Sequence, residues 1–189
     1  HLPHGMLRLP TGKMSSRTGN VITAEQLIEE VKTHVKGDEQ VAIAAIKYMI
    51  LRQGIGQDII FDFEKSVSVE GDSGVYLQYA HAGANSILEK AGKKGSADGE
   101  QGEIRLVEKL LYRFPEIVER AGAEYAPNYI TTYLTELASA FNNFYAHEQV
   151  LPSSGLGTGE DSPESGYRLA IVEAFKTVMK NGLTILGIT

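Results

Sequence analysis

The pattern of apolar and polar residues divides most of the chain into stretches of helical length. Thr23, followed three residues later by Gln26, forms a capping-box pattern that predicts a helix running to about Lys36. Asp38 is the expected N-cap of a second helix, whose density of apolar residues is typical of a buried helix. This second helix is expected to end at Gly54, and four further helices are predicted over residues 73–92, 103–122, 127–147 and 167–182.

Proline and glycine modify this prediction at three places. Pro115 falls inside the fourth predicted helix and is expected to bend or split it, because proline donates no backbone hydrogen bond. Pro127 suits the first turn of the fifth helix, and Gly182 is the expected C-cap of the last one.

Three segments do not follow the helical period. Residues 57–71, QDIIFDFEKSVSVEG, are β-branched and aromatic with partial alternation, which predicts an extended connector. Residues 92–102 and 151–166 are rich in glycine and charged or small polar residues, so they are predicted to be exposed loops. The predicted fold class is therefore mainly α: a helical bundle with an N-terminal loop segment and a short extended connector.

Composition excludes several classes of protein. The net charge of −6 argues against nonspecific nucleic-acid binding through a strongly basic surface, although a local basic patch stays possible. The absence of cysteine excludes disulfides and thiolate-bound metals. No apolar run approaches the roughly 18 residues that a membrane span needs, and the first residues do not resemble a signal peptide.

The first chemical motif is the stretch TGKMSSRTGNVI, residues 11–22. The Lys13 ammonium and Arg17 guanidinium can contact phosphate oxygens, and the Ser15 and Ser16 hydroxyls add hydrogen-bonding groups. The spacing is not that of a Walker A loop. A run of this composition can also be an ordinary solvated turn.

The sequence Lys13-Met14-Ser15-Ser16-Arg17 resembles the KMSKS signature of class I aminoacyl-tRNA synthetases, in the variant found in arginyl-tRNA synthetases. In that family the loop closes over ATP and stabilises the charge of the pyrophosphate leaving group. The resemblance implies that Lys13, Ser15 and Ser16 are catalytic, and that all five residues bind ATP. Ser16 stands where the family has its second lysine.

The second motif is the predicted helix GDSGVYLQYAHAGANSIL. Tyr76, Tyr79, Gly83 and Ser86 share one stripe, and Leu77, Ala80, Ala84 and Leu88 form a neighbouring apolar stripe that suits a core. The tyrosines, with Gln78 nearby, could stack on an unpaired base and hydrogen-bond its edge, although tyrosine stripes are more often packed inside.

This stretch resembles the signature of the arginyl enzyme's anticodon-binding domain. The resemblance implies that Tyr76, Gln78 and Tyr79 face the tRNA anticodon. The family commonly has arginine where this chain has Gly83.

The third motif comprises the last two predicted helices. Phe141, Phe144, Leu169, Val172 and Leu186 are expected to be core residues. These helices resemble the DALR-type anticodon-binding domain, with Ser165-Gly166-Tyr167-Arg168 at the position of the Asp-Ala-Leu-Arg motif. The resemblance implies that Tyr145 and Arg168 are further anticodon contacts.

Two basic stripes could contact tRNA phosphates or could be ordinary solvated helix faces. One consists of Lys90, Lys93 and Lys94, and the other of Arg105, Lys109 and Arg113.

Together these resemblances imply a C-terminal piece of an arginyl-tRNA synthetase. We expect a remnant of the catalytic domain at residues 1–22, a helical linker region that contacts the tRNA stem at 23–69 and the anticodon-binding domain at 70–189. The whole enzyme would join arginine to tRNA-Arg in the cytoplasm, using ATP with Mg²⁺ held by the nucleotide. No metal site of the protein's own is predicted, and the HIGH motif is absent, so this chain alone is expected not to aminoacylate.

Two alternatives stay open at this point. The tail of a cysteinyl, methionyl or leucyl synthetase would also carry a KMSKS-like loop before a helical bundle. A non-catalytic helical interaction domain would show no affinity for RNA.

Overall fold

The computed structural model describes residues 3, 5–10, 22–92, 94–96, 103–151 and 163–188, without the side chains at 163 and 164. Seven helices and two short strands lie in this described part, so the predicted mainly α fold class is confirmed. The elements are β1 (Leu7–Arg8), α1 (Ala24–His34), α2 (Glu39–Leu51), β2 (Ile59–Ile60), α3 (Phe63–Ser66), α4 (Gly74–Ala91), α5 (Leu106–Ala123), α6 (Asn128–His147) and α7 (Pro163–Ile185).

The first two helices begin where their capping residues predict. The Thr23 hydroxyl accepts a hydrogen bond from the Gln26 amide at 3.2 Å, and the Gln26 side chain accepts one from the Thr23 amide at 2.9 Å. The Asp38 carboxylate accepts from the Val41 amide at 3.1 Å at the start of α2. Each cap pairs a backbone N–H that the helix itself cannot pair. The two helices, together with residues around β1 and β2, enclose a small apolar cluster of Leu27, Val31, Ala42, Ala45, Met49 and Phe61.

The prediction of an extended connector was correct for only part of residues 57–71. β2 is extended and pairs in parallel with β1, with Leu7 opposite Ile59. The next residues turn into α3, because the Asp62 carboxylate accepts a hydrogen bond from the Lys65 amide at 3.1 Å and caps a helical turn. The alternation of apolar residues did not reveal this cap.

Helices α4 to α7 pack around the larger core. α4 lies against α7, and α5 lies against α6. The rings of Phe141 and Phe175 stack with their centroids 3.7 Å apart at the centre of this core. The five residues predicted as core in the last two helices are all buried, which confirms that prediction: Phe141, Phe144, Leu169, Val172 and Leu186.

Several predictions about the helices were wrong. α2 ends at Leu51 and not at Gly54, and α7 begins at Pro163, inside the loop predicted over residues 151–166. α5 continues through Pro115 as one helix, so it is not split there, and the predicted bend stays a prediction. α7 does not end at Gly182 but continues to Ile185, and the turn that follows has Gly187 at φ +66°. A Cβ built on Gly182 would lie 2.6 Å from Leu134 Cδ2, so this glycine lets α7 approach α6 closely. The glycine in the left-handed C-terminal turn is Gly187, where the Ile188 amide donates to the Leu183 carbonyl at 2.8 Å.

Neither a membrane-spanning helix nor a metal-binding group of side chains is found among the described residues. None of their helices combines the length and apolar character needed to cross a bilayer. No group of three or more of their His, Asp or Glu side chains is arranged to hold a metal ion. The predicted domain boundaries at residues 22 and 69 stay a prediction.

Candidate nucleic-acid interface

The start of α4, which carries the candidate tyrosines, is fixed to the neighbouring helices. The Ser73 hydroxyl caps α4 by accepting a hydrogen bond from the Tyr76 amide at 2.9 Å. Arg52 forms a salt bridge with Asp72, and the Tyr48 hydroxyl donates to the same carboxylate. The Tyr48 hydroxyl also lies 2.7 Å from the hydroxyl of Thr135 on α6. The first turn of α4 is therefore held by both α2 and α6.

Burial of Tyr48 agrees with a structural role for these contacts. Its side chain is fully buried, and this burial, followed by the hydrogen bond to Asp72, raises the pKa of the Tyr48 phenol far above its ordinary value. Tyr48 is therefore a neutral hydrogen-bonding group that links α2 to α4 and α6.

The two tyrosines of α4 lie in different environments. Tyr76 is only 9% exposed and its ring belongs to the core, whereas Tyr79 is 67% exposed. The Tyr76 hydroxyl accepts a hydrogen bond from Asn142 Nδ2 at 2.9 Å, and burial raises the pKa of this phenol. This bond joins α4 to α6 beside the turns that carry Tyr79 and Tyr145.

Tyr145 is 42% exposed and rests on the core. Its ring is nearly parallel to that of Phe141, with an interplanar angle of 16° and centroids 6.5 Å apart. Phe141 in turn stacks on Phe175. We call Tyr79, Tyr145, Asn142 and the Tyr76 hydroxyl the tyrosine face.

The structure does not bring Gln78 to the tyrosine face. Gln78 lines a cavity between α4 and α7, together with His81 and Lys180. Adjacent residues of a helix point about 100° apart, which places Gln78 and Tyr79 on different flanks of α4. Its predicted contact with the anticodon stays a prediction.

Arg168 is engaged inside the protein. Its Nε lies 2.9 Å from Glu148 Oε2, and its Nη1 donates to the Gln149 carbonyl at 3.0 Å. Glu148 also accepts from Arg105 Nε at 2.9 Å. The hydrogen bonds from Arg105, and after them the charges of both arginines, hold the pKa of Glu148 below its usual range. The predicted anticodon contact of Arg168 also stays a prediction.

Two of the three basic residues in the second stripe form ion pairs within the protein. Arg105 is paired with Glu108 and Glu148, and Arg113 Nε lies 3.8 Å from Glu116. Lys109 is exposed, as are Lys90 and Lys94 of the other stripe.

The predicted ATP-binding residues are not among those that the structure describes. Lys13, Met14, Ser15, Ser16 and Arg17 all lie outside the described residues, and so does Lys93.

Sequence reasoning missed Asn142 and His81. Asn142 lies in the run FNNFYAH, one turn before Tyr145, and is polar in an otherwise core-forming stretch. That position relative to Tyr145 was a usable signal. His81 carried no such signal, because its surroundings come from α7, about 100 residues further along the chain.

Comparisons with known proteins agree on one family. The DALR anticodon binding domain matches residues 77–189. Arginine–tRNA ligases of Lactococcus lactis subsp. cremoris and of Cutibacterium acnes are each 35% identical to this chain across its full length. The chain spans about a third of their length, 36% and 35% respectively.

A solved structure gives the same result for the fold. The arginyl-tRNA synthetase of Thermus thermophilus superposes with a TM-score of 0.80 and 29% identity. The match covers 98% of this chain and 34% of that one.

Proposed function

Because the chain belongs to the DALR anticodon-binding domain family, we propose that it is the C-terminal, tRNA-binding part of an arginine–tRNA ligase. The named relatives carry that activity and resemble this chain over its whole length. They favour this function over the tail of a cysteinyl, methionyl or leucyl synthetase. The parent enzyme would act in the cytoplasm on ATP, arginine and tRNA-Arg.

The observation that carries the proposal is the tyrosine face. Two exposed aromatic rings, Tyr79 and Tyr145, project from helices joined by the Tyr76–Asn142 hydrogen bond. Exposed rings on a rigid support suit the stacking of unpaired bases, such as those of an anticodon loop. The interaction domain considered above would not need this arrangement.

Each polar group of the tyrosine face has a definite capacity. The Tyr76 hydroxyl accepts from Asn142 and keeps its own proton to donate. The Asn142 side chain keeps its carbonyl oxygen and a second N–H. A base stacked beside them would meet both donors and acceptors, which is what reading a base edge requires.

The acidic net charge is compatible with RNA binding when the positive charges are local. Lys90, Lys94 and Lys109 are exposed, and none of them is in an ion pair among the described residues. Each phosphate contact adds about 0.7–0.9 to the magnitude of the slope of log K against log salt. We expect a shallow slope that corresponds to a few contacts.

The KMSKS-like loop would serve the parent enzyme. In that role Lys13 contacts a phosphate of ATP, and Ser15, Ser16, Met14 and Arg17 shape the closing loop. Mg²⁺ would arrive with the nucleotide. The chain alone is expected to be inactive, so an ATP–pyrophosphate exchange assay on it should give no rate above background.

The test of the proposal is binding of this chain to an arginine tRNA and to the same tRNA with C35, its central anticodon base, changed. The proposal predicts tighter binding of the unchanged tRNA at low salt, and competition by an isolated anticodon stem-loop. Equal binding of both tRNAs, or no binding at high micromolar protein, would contradict it.

A further inference from the structure

A cavity of about 310 Å³ lies between the first half of α4 and the end of α7. Such a volume is at the lower end of the range for small-ligand sites, and it suits a single small ligand. The described residues that line it come from both sides: Gln78 and His81 from α4, and Lys180, Leu183, Thr184 and Ile188 from the end of the chain.

Two polar atoms at this cavity have no partner within the described part of the chain. Gln78 Oε1 and His81 Nε2 are both buried from solvent and meet no hydrogen-bonding group there. Leaving a buried polar atom unpaired is unfavourable, so native proteins rarely do so without a functional reason. The two residues are one turn apart on α4, so a single ligand can reach both.

The charge around the cavity is positive. No Asp or Glu is among its six described lining residues. Lys180 is exposed at its rim, and Lys176, one turn earlier on α7, donates to Asn85 Oδ1 at 2.5 Å. Burial first, and then the charges of Lys176 and Lys180, lower the pKa of His81. At neutral pH the imidazole is therefore uncharged, with one donor and one acceptor nitrogen.

We propose that this cavity binds one unpaired nucleotide of the RNA: Gln78 and His81 hydrogen-bond the edge of its base, and Lys180 contacts its phosphate. The inference rests on the proposed function, because it supposes that the chain binds tRNA. It adds a second subsite, separate from the tyrosine face.

The geometry of α4 separates the two subsites. Gln78 and Tyr79 point about 100° apart. Ala82 and Ser86 are exposed on the helix surface between them. One base stacked on Tyr79 and another held by Gln78 would therefore lie on different flanks of α4. The cavity walls formed by Leu183 and Ile188 supply apolar surface for the face of the second base.

The experiment measures the Kd of an arginine tRNA for the unaltered chain and for Gln78→Leu, Lys180→Gln and Tyr79→Ala. Gln78→Leu and Lys180→Gln should each weaken binding about fivefold to tenfold, and Lys180→Gln should also lower the salt slope by about 0.7–0.9. The matched control is Arg120→Gln, because the Arg120 side chain is 55% exposed on α5 and does not line the cavity. The control should change the Kd less than twofold. Circular dichroism confirms that each variant is folded.

A double variant separates this subsite from the tyrosine face. If Gln78 and Tyr79 bind different nucleotides, the fold-losses of Gln78→Leu and Tyr79→Ala multiply in the double variant. A double variant no weaker than Tyr79→Ala alone would overturn the proposal of a separate subsite.

The remaining outcomes separate this inference from the proposed function. If Gln78→Leu and Lys180→Gln bind tRNA as the unaltered chain does while Tyr79→Ala binds weakly, the cavity is not a nucleotide site and the proposed function stands. If the unaltered chain binds no tRNA, both fail together.

Discussion

Replacing Glu148 by glutamine removes the charge that links α5 to α7 at the end of α6. Its Oε1 accepts from Arg105 Nε at 2.9 Å, and its Oε2 accepts from Arg105 Nη2 at 3.2 Å. Arg168 Nε lies 2.9 Å from the same Oε2. The side chains of the three residues are between 21% and 26% exposed, so solvent screens these contacts only in part.

The magnitude follows from these contacts. A hydrogen bond to a charged group contributes about 1.5–3 kcal/mol to stability. Glutamine keeps the shape and one acceptor oxygen but leaves two partly buried guanidinium groups without their shared charge. We expect Glu148→Gln to lower the free energy of unfolding by about 2 kcal/mol, which corresponds to about 4–8 °C in Tm for a chain of this size.

The assay is urea denaturation followed by circular dichroism at pH 7. The control is Glu136→Gln, because Glu136 is exposed on α6, the helix that ends just before Glu148, and has no ion pair among the described residues. The free energy of unfolding of this control should lie within about 0.5 kcal/mol of that of the unaltered chain. A Glu148→Gln variant as stable as this control would refute the stabilising role of the contacts between Glu148 and the two arginines.

The difference in stability between the unaltered chain and the Glu148→Gln variant should depend on pH. Because the pKa of Glu148 is lowered in the folded state, its contribution is fully present above the ordinary value of 4.5. That contribution is lost as the pH falls through the lowered pKa. The difference in stability between the two proteins should therefore be largest near pH 7 and shrink below about pH 4.5.

Two further predictions concern α4. A Cβ on Gly74 would lie 2.8 Å from the Ala44 carbonyl oxygen, so Gly74→Ala should cost about 1–3 kcal/mol in a thermal unfolding assay. Gly83→Ala is its control, since nothing lies within 4 Å of a Cβ there, and it should stabilise by about 0.5–1 kcal/mol. Equal effects of the two would contradict the packing. Tyr76→Phe removes the acceptor for Asn142 and should cost about 1 kcal/mol by urea denaturation, whereas no loss would show that the bond contributes nothing.

Local capping chemistry made much of the helical fold predictable. Thr23 with Gln26, and Asp38, mark helix starts through bonds to amides only three residues away, so the sequence contains the whole interaction. Gly182 was misassigned because its role depends on Leu134, which lies in a different helix. A glycine that ends a helix and one that lets two helices approach cannot be distinguished from local sequence.

The candidate site shows the same limit. Helical spacing put Tyr76 and Tyr79 on one stripe, but α6 covers Tyr76 and leaves Tyr79 exposed. Gln78 was grouped with them because it is adjacent in sequence, although its side chain lines the cavity beside α7. Residue type indicated stacking and hydrogen bonding, while the packing of distant helices decides which residue is available for each.

The most direct test of the proposed tRNA binding compares two exposed tyrosines. Tyr79 lies on the tyrosine face, whereas Tyr112 is 89% exposed on α5 and not part of it. If Tyr79 stacks on a base of tRNA-Arg, Tyr79→Ala should lose about 1–3 kcal/mol of binding, or roughly 5-fold to 150-fold in Kd. Tyr112→Ala should bind as the unaltered chain does, with both variants equally stable. Equal affinity of the two variants for the arginine tRNA would contradict the account.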